Sequence, residues 1–167
     1  MELRDLYDKN LNLTGETIQK GEIIPKGKYI LVVVVWIQNC KGELLIQQRS
    51  FTKNSYPGKW ATTGGHPKHG ETSLQGMITE TSEELGVVLQ ENELEYIKTC
   101  MDDDTFIDIY YTNKDLEIND MILQKEEVEA VKWVSIEEFE KMISNNEVAS
   151  SHFELYEEIK ELLKSRC

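Results

Sequence analysis

The most apolar stretch of the chain, residues 29–37, is almost continuously β-branched. Such a run reads as a strand buried on both faces, extending to Gln38, and it is far too short to span a bilayer. The turn Asn39-Cys-Lys-Gly42 and the returning residues 43–49 complete a hairpin. Upstream, residues 3–21 read as a small strand pair around Asp8-Lys-Asn-Leu-Asn. Downstream, residues 53–59 form a loop, and residues 60–63 a short strand that enters a glycine-rich turn. The period then changes. Leu74, Met77, Ile78, Thr81 and Leu85 recur at helical spacing, which predicts a helix over 73–85. Thr72 with Gln75 fits a capping box at its start, and Gly86 fits the C′ position at its end.

Two more strands follow over 94–101 and 105–112, joined by the acidic turn Asp102-Asp-Asp104, and another over 128–134. A capping box from Ser135 to Glu138 opens a helix that runs to about Ser144. A closing amphipathic helix covers 153–163, with Phe153, Tyr156, Ile159, Leu162 and Leu163 on one side. Strands flanked by helices in this order predict an α/β class domain, an α/β/α sandwich with a central mixed sheet. The 167 residues suit one domain, with a short N-terminal β extension (about 1–28) and a C-terminal helix (about 150–165).

Charge narrows the partners. With 31 acidic against 18 basic residues the net charge is −13, which excludes nucleic-acid backbone and anionic membrane as natural partners. A polyphosphate substrate would be repelled unless a metal and local basic groups reverse the field. Cys40, Cys100 and Cys167 are odd in number and form no CxxC pair, so neither a disulfide framework nor a zinc site is indicated, and a reducing cytoplasm is the expected home. The charged first residues lack the apolar core of a signal peptide.

The candidate chemistry lies in one segment. Gly65-His-Pro-Lys-His-Gly-Glu71 precedes a helix that carries Glu80, Glu83 and Glu84 at i, i+3 and i+4, so three carboxylates share one face. Like charges so placed repel unless a cation holds them. Oxygen-only ligands suit Mg²⁺, or Mn²⁺ in its place, and the simplest reaction for such a site is metal-assisted attack of water on a phosphoanhydride.

Gly65, Glu71, Glu80, Glu83, Glu84, Gly86 and Val87 stand at the spacing of the 23-residue signature of the Nudix hydrolases, which this segment resembles. Thr79 departs from the signature's arginine, and Thr81 from an apolar position. The arginine is thought to bridge the glutamates, so Lys68 and Arg49 are candidates to replace it. The likeness extends to Gly21-Glu-x-x-Pro-x-Gly27, residues 41–49, Tyr56-Pro-Gly-Lys-Trp60 and Gly65-His-Pro, which resemble the isopentenyl-diphosphate-isomerase-like branch. Isomerases of that branch carry a catalytic cysteine where this chain has Gly64, and a histidine ligand where it has Ile30.

The resemblance implies a hydrolase rather than an isomerase. It implies Glu80, Glu83 and Glu84 as metal ligands, and Gly65, Glu71 and Gly86 as organisers of the site. Glu83 and Glu84 would act in catalysis with Glu127, a fourth ligand or general base for which Glu126 is the fallback. His66 matches an isomerase metal ligand. Arg49, Lys59, Gly64 and His66 are candidate substrate contacts, with Gly64 and Gly65 giving close backbone approach or positive φ. His69 and His152 carry no signal, and Trp36, Trp60 and Trp133 read as packing residues. The expected substrate is a small nucleoside diphosphate linked to a moiety X, with no nucleic acid or membrane partner and a homodimer left open. A non-catalytic nucleotide-binding module and an isomerase are the alternatives.

Overall fold

A computed structural model describes residues 2–166, the side chain of Phe153 excepted. The elements in chain order are β1 (Leu3–Tyr7), β2 (Leu13–Gln19), β3 (Ile30–Gln38), β4 (Leu44–Arg49), β5 (Trp60–Ala61), β6 (Thr63–Gly65), α1 (Ser73–Leu85), β7 (Glu95–Asp102), β8 (Thr105–Asn113), β9 (Val128–Val134), α2 (Ile136–Ser144) and α3 (Ser150–Ser165). Short 3₁₀ turns at Glu91–Glu93 and Ile118–Asp120 are additions that the sequence pattern does not signal. The chain groups into two compact units interleaved along the sequence. The first holds residues up to Val35, Gly64–Ser82 and Val88–Tyr111; the second holds Trp36–Thr63, Glu83–Val87 and the residues from Thr112 on.

In the first unit, β1 and β2 form an antiparallel hairpin. Asp8 closes its turn, accepting the Asn10 and Asn12 N–H groups at 2.8 and 3.0 Å. Tyr7 and Tyr29 exchange both backbone hydrogen bonds, tying β1 to the start of β3. β7 and β8 form a second hairpin whose closing pair is Asp102 and Thr105, with Asp103 at φ +49. β6 pairs with β3. α1 starts at a true capping box: Thr72 N–H donates to Gln75 Oε1 at 2.9 Å, and Gln75 N–H donates to Thr72 Oγ1 at 3.2 Å.

In the second unit, β4 turns back from the end of β3 and pairs antiparallel with both β5 and β9. Trp36, Phe139 and Tyr156 pack around one another, Phe139 edge-on to both and Trp36 tilted to Tyr156, with ring centroids 5.1 to 6.0 Å apart. Lys132 Nζ lies 4.5 Å over the Trp60 ring, and Trp133 Nε1 donates to Leu116 O. All three tryptophans therefore pack, as the sequence suggests.

Ile30 N–H bonds Asp104 O at one end of β3 and β8, and Lys114 N–H bonds Gln38 O at the other, so these strands run parallel while β3 and β4 run antiparallel. The sheet is mixed and the class is α/β. Val33 to Ile37 are each at most 1% exposed, as a strand covered on both faces requires.

Most bounds agree with the sequence reading to within a residue or two, and one element differs in kind. The strand expected over 60–63 is two strands, because the chain changes pairing partner at Thr62, from β4 to β3. The last helix runs Ser150–Ser165, the span expected for the C-terminal helix and wider than the amphipathic stretch 153–163. Trp60 exchanges backbone hydrogen bonds with Glu147 and Ala149, which fixes the segment that leads into it. The expected place of Phe153 on that helix's apolar side lies outside the described residues. Among the described residues no helix is long and apolar enough to cross a membrane.

Candidate active site

The signature segment begins where β6 lies against β3. A Cβ at position 64 would stand 2.6 Å from Val33 O and 2.7 Å from Val34 Cγ1. A Cβ at Gly65 would stand 2.2 Å from Glu80 Cδ and within 2.6 Å of both Glu80 carboxylate oxygens. The expectation that these glycines serve positive φ is corrected: neither has it. Gly64 is small because two strand backbones meet there, and Gly65 because the Glu80 carboxylate fills the space a side chain would take.

Glu71 lies two residues before α1 and is held at both oxygens. Thr79 Oγ1 donates to Oε1 at 2.8 Å, and the Lys68 backbone N–H donates to Oε2 at 2.8 Å. Thr79 thus meets Glu71 where the family signature has arginine. Arg49 does not replace it: its guanidinium donates to Ser55 O and Oγ at 3.0 Å each. Lys68 contributes through its backbone.

The three helix glutamates share a face by spacing but not by environment. Glu83 is exposed and Glu80 half-buried. Glu84 is only 6% exposed and accepts Gln47 Nε2 at 3.0 Å, while Gln47 Oε1 accepts Thr63 Oγ1 at 3.1 Å. A buried carboxylate without a partner is costly, and here a neutral amide meets it. The three carboxylates expected on one face are therefore unequal, with Glu84 buried, Glu80 half-buried and Glu83 exposed.

Gly86 ends α1 at φ +68, as expected of a C′ glycine. A Cβ there would stand 2.9 Å from Ile122 N. This close approach lets Ile122 N–H bond Leu85 O and Gln124 N–H bond Glu84 O, both at 3.0 Å. The strap leads directly to Glu127, whose Oε2 takes Lys53 Nζ at 2.5 Å and whose carbonyl accepts Ser50 N–H at 2.9 Å. Lys59 Nζ donates to Asn146 O, so Lys59 and Arg49 both brace loops of their own unit. His66 is half-buried in the signature loop.

Sequence reasoning missed Gln47, Asp5 and Lys53. Gln47 leaves only a polar position directly after the apolar run Leu44-Leu-Ile46 of β4. His152 also acquires a character: its Nδ1 is buried without a hydrogen-bond partner, and burial, with a smaller effect of nearby Arg49, pushes its pKa down to about 4.

The donor set suits a hard divalent cation, since every candidate ligand is a carboxylate oxygen and Gly65 leaves room for one of them. Among the described residues, no group of three or more His, Cys, Asp or Glu side chains is already gathered as a ligand set.

The chain is similar in sequence and fold to known proteins over most of its length. The NUDIX domain family matches residues 28–159. An uncharacterized Nudix hydrolase of Listeria monocytogenes is 37% identical over 148 residues, 88% of each chain. Nudix hydrolase 3 of Arabidopsis thaliana is 32% identical over 180 residues, which cover 98% of this chain and 23% of that protein. An isopentenyl-diphosphate Delta-isomerase of Escherichia coli is 37% identical over 62 residues, 36% of this chain and 34% of the isomerase. Among solved structures, a Deinococcus radiodurans protein superposes with a TM-score of 0.73 at 22% identity, covering 89% of this chain and 92% of that one. The NUDIX domain of Shewanella oneidensis NrtR, complexed with ADP ribose, gives 0.65 at 20% identity over 81% and 88%. A bifunctional NMN adenylyltransferase/ADP ribose pyrophosphatase of Francisella tularensis, complexed with AMP and a Mn ion, gives 0.63 at 18% identity over 86% and 44%.

Proposed function

The chain belongs to the Nudix hydrolase family, and from that premise we propose that it is a divalent-metal-dependent hydrolase of a diphosphate bond in a nucleoside diphosphate linked to a second moiety X. The observation that supports this reading is that Glu71 and Glu84 are each oriented by neutral donors, the Thr79 hydroxyl and Lys68 N–H on one and the Gln47 amide on the other. Glu80, Glu83 and Glu84 would hold Mg²⁺ or Mn²⁺. Such an ion, when bound, polarises a phosphorus centre and lowers the pKa of a bound water.

The residues of the chain do the rest. Gly65 leaves the space that the Glu80 carboxylate fills, and Glu71 is held by Thr79 and the Lys68 N–H on the loop before the helix. Gln47 keeps the Glu84 carboxylate in one orientation. Glu127, or one of the helix glutamates, takes the proton from the attacking water. The oxygen of that water bonds to phosphorus as the phosphoanhydride P–O bond breaks, giving a monophosphate and phosphoryl-X. Arg49, Lys59 and His66 are the candidate substrate contacts. The ADP ribose and AMP bound by the Shewanella and Francisella proteins support a nucleotide substrate class.

The isomerase alternative needs a thiol at position 64, where even a Cβ collides with the β3 backbone. A second reading, nucleotide binding without turnover, is favoured by the Lys53–Glu127 ion pair, which occupies the candidate base.

The test is product release from a panel of nucleoside diphosphate derivatives with Mg²⁺ or Mn²⁺ and an EDTA control. Metal-dependent cleavage of any member is the expected result. Calorimetric binding of metal and ADP-ribose with no cleavage of any compound would replace it with the second reading.

A further inference from the structure

The hairpin β1–β2 reaches the signature loop through one side chain. Asp5 is largely buried, its side chain 11% exposed. Its Oδ1 lies 2.7 Å from His69 Nδ1, and its Oδ2 accepts the Gly70 N–H at 3.0 Å. Beside it, Leu3 O accepts the His69 N–H at 2.8 Å. Three hydrogen bonds therefore pin residues 69 and 70 to β1. The next residue is Glu71. Its own N–H bonds Lys68 O, and its carboxylate is held by Lys68 N–H and Thr79.

The loop needs an external hold. Gly70 sits at φ +84, where a glycine gives the backbone its freedom, and the segment ahead of it carries Gly64, Gly65 and Pro67. A loop of this composition has several conformations open to it. The signature arginine that would draw Glu71 into place from the helix is here Thr79, which reaches Glu71 only if the loop already places it there. Asp5 supplies that placement. A carboxylate that accepts a backbone N–H and meets an imidazole is a strong, directional anchor.

We infer that Asp5 is a positioning residue of the active site: it acts through His69 and Gly70 to set where Glu71 stands, and the N-terminal hairpin is thereby a working part of the metal-binding apparatus. The inference rests on the proposed metal reading of the helix glutamates, and its test is chosen to separate the two.

Mn²⁺ uptake by the full chain is followed by the loss of the free-ion electron paramagnetic resonance signal, with melting temperature and circular dichroism measured in parallel. The variants are Asp5→Ala, Asp5→Asn, Glu71→Gln and the double variant Asp5→Ala/Glu71→Gln. Groups that orient metal ligands from behind are worth about 10- to 100-fold in metal affinity, so Asp5→Ala is expected to weaken Mn²⁺ binding about tenfold. Asp5→Asn keeps an acceptor for Gly70 N–H and is expected to restore most of the affinity, a rescue that bulk loss of stability would not show. Because Asp5 acts through Glu71, the double variant is expected to bind no worse than Glu71→Gln alone. Unchanged affinity in Asp5→Ala, or a double variant that loses the full product of the two single effects, overturns the inference while the metal reading stands. Absence of Mn²⁺ uptake by the unaltered chain overturns the metal reading, and this inference with it.

Discussion

Glu84 and Glu127 lie in the same compact unit and are held in opposite ways. Glu84 is buried and meets an amide, Gln47 Nε2 at 3.0 Å. Glu127 is more open and meets an ammonium, Lys53 Nζ at 2.5 Å. A neutral donor fixes the direction of a carboxylate and leaves its charge for a cation to use. A lysine fixes the direction and cancels the charge. Glu71 follows the first pattern, with a hydroxyl and a backbone N–H. In these contacts Glu71 and Glu84 are thus oriented by neutral donors, whereas the loop carboxylate is paired with an ammonium.

Breaking the first half of this contrast has the largest expected effect. Glu84→Gln or Glu83→Gln should lower kcat by about 10³-fold, in the range for groups acting at the reacting centre, while the fold survives. Near-normal turnover in either variant would remove these glutamates from the mechanism. Glu127→Gln is expected to lower kcat about 10²-fold if Glu127 is the base. Lys53→Gln then separates the roles: a raised KM with kcat kept marks a lysine that leaves Glu127 for the substrate's phosphates, whereas an equal fall in kcat marks one that only holds the loop.

Gly65→Ala sharpens the same comparison at Glu80. The new methyl displaces only the end of a flexible side chain, so the melting temperature should change little. Mn²⁺ affinity should fall about tenfold, as expected when a supporting position moves a ligand. A variant that binds Mn²⁺ normally would show that Glu80 is not a ligand.

The smallest expected effect is on stability, at His152. Its imidazole has a pKa of about 4 in the fold against 6.5 unfolded. Between those values the unfolded chain binds a proton that the folded chain does not. Stability is therefore lost as pH falls from about 6.5 to about 4, by at most about 3 kcal/mol. His152→Gln should flatten that part of the melting-temperature profile, and an unchanged slope would show that carboxylates alone set it.

Much of the fold was legible because its signals are local. The β-branched run of β3, the capping box at Thr72 and Gln75, the C′ glycine Gly86 and the extent of β9 all depend on neighbours within a few residues. The strand break at Thr62 was not legible, since it follows from pairing with segments distant in sequence. The same division runs through the candidate site. Gly65, Glu71, Glu80, Glu83 and Glu84 could be picked out by spacing. Their partners could not: Gln47 lies 37 residues from Glu84, and Asp5 lies 65 from Gly70. Of the roles expected for Gly64 and Gly65, positive φ is absent at both, for a related reason. A glycine can be required by φ or by a neighbour's volume, and only the three-dimensional neighbours distinguish the two.

By itself, then, the sequence determined the elements, the α/β class and the family to which the chain belongs, because helix spacing, capping and the signature's fixed intervals are written in consecutive residues. The tertiary structure alone decided which glutamate is buried, which donors hold it, and that a threonine in the arginine's position and a backbone N–H hold Glu71 while an aspartate of the first strand ties down the loop before it. Those facts depend on distance in space, and a hydroxyl 2.8 Å from a carboxylate leaves no mark on the order of residues along the chain.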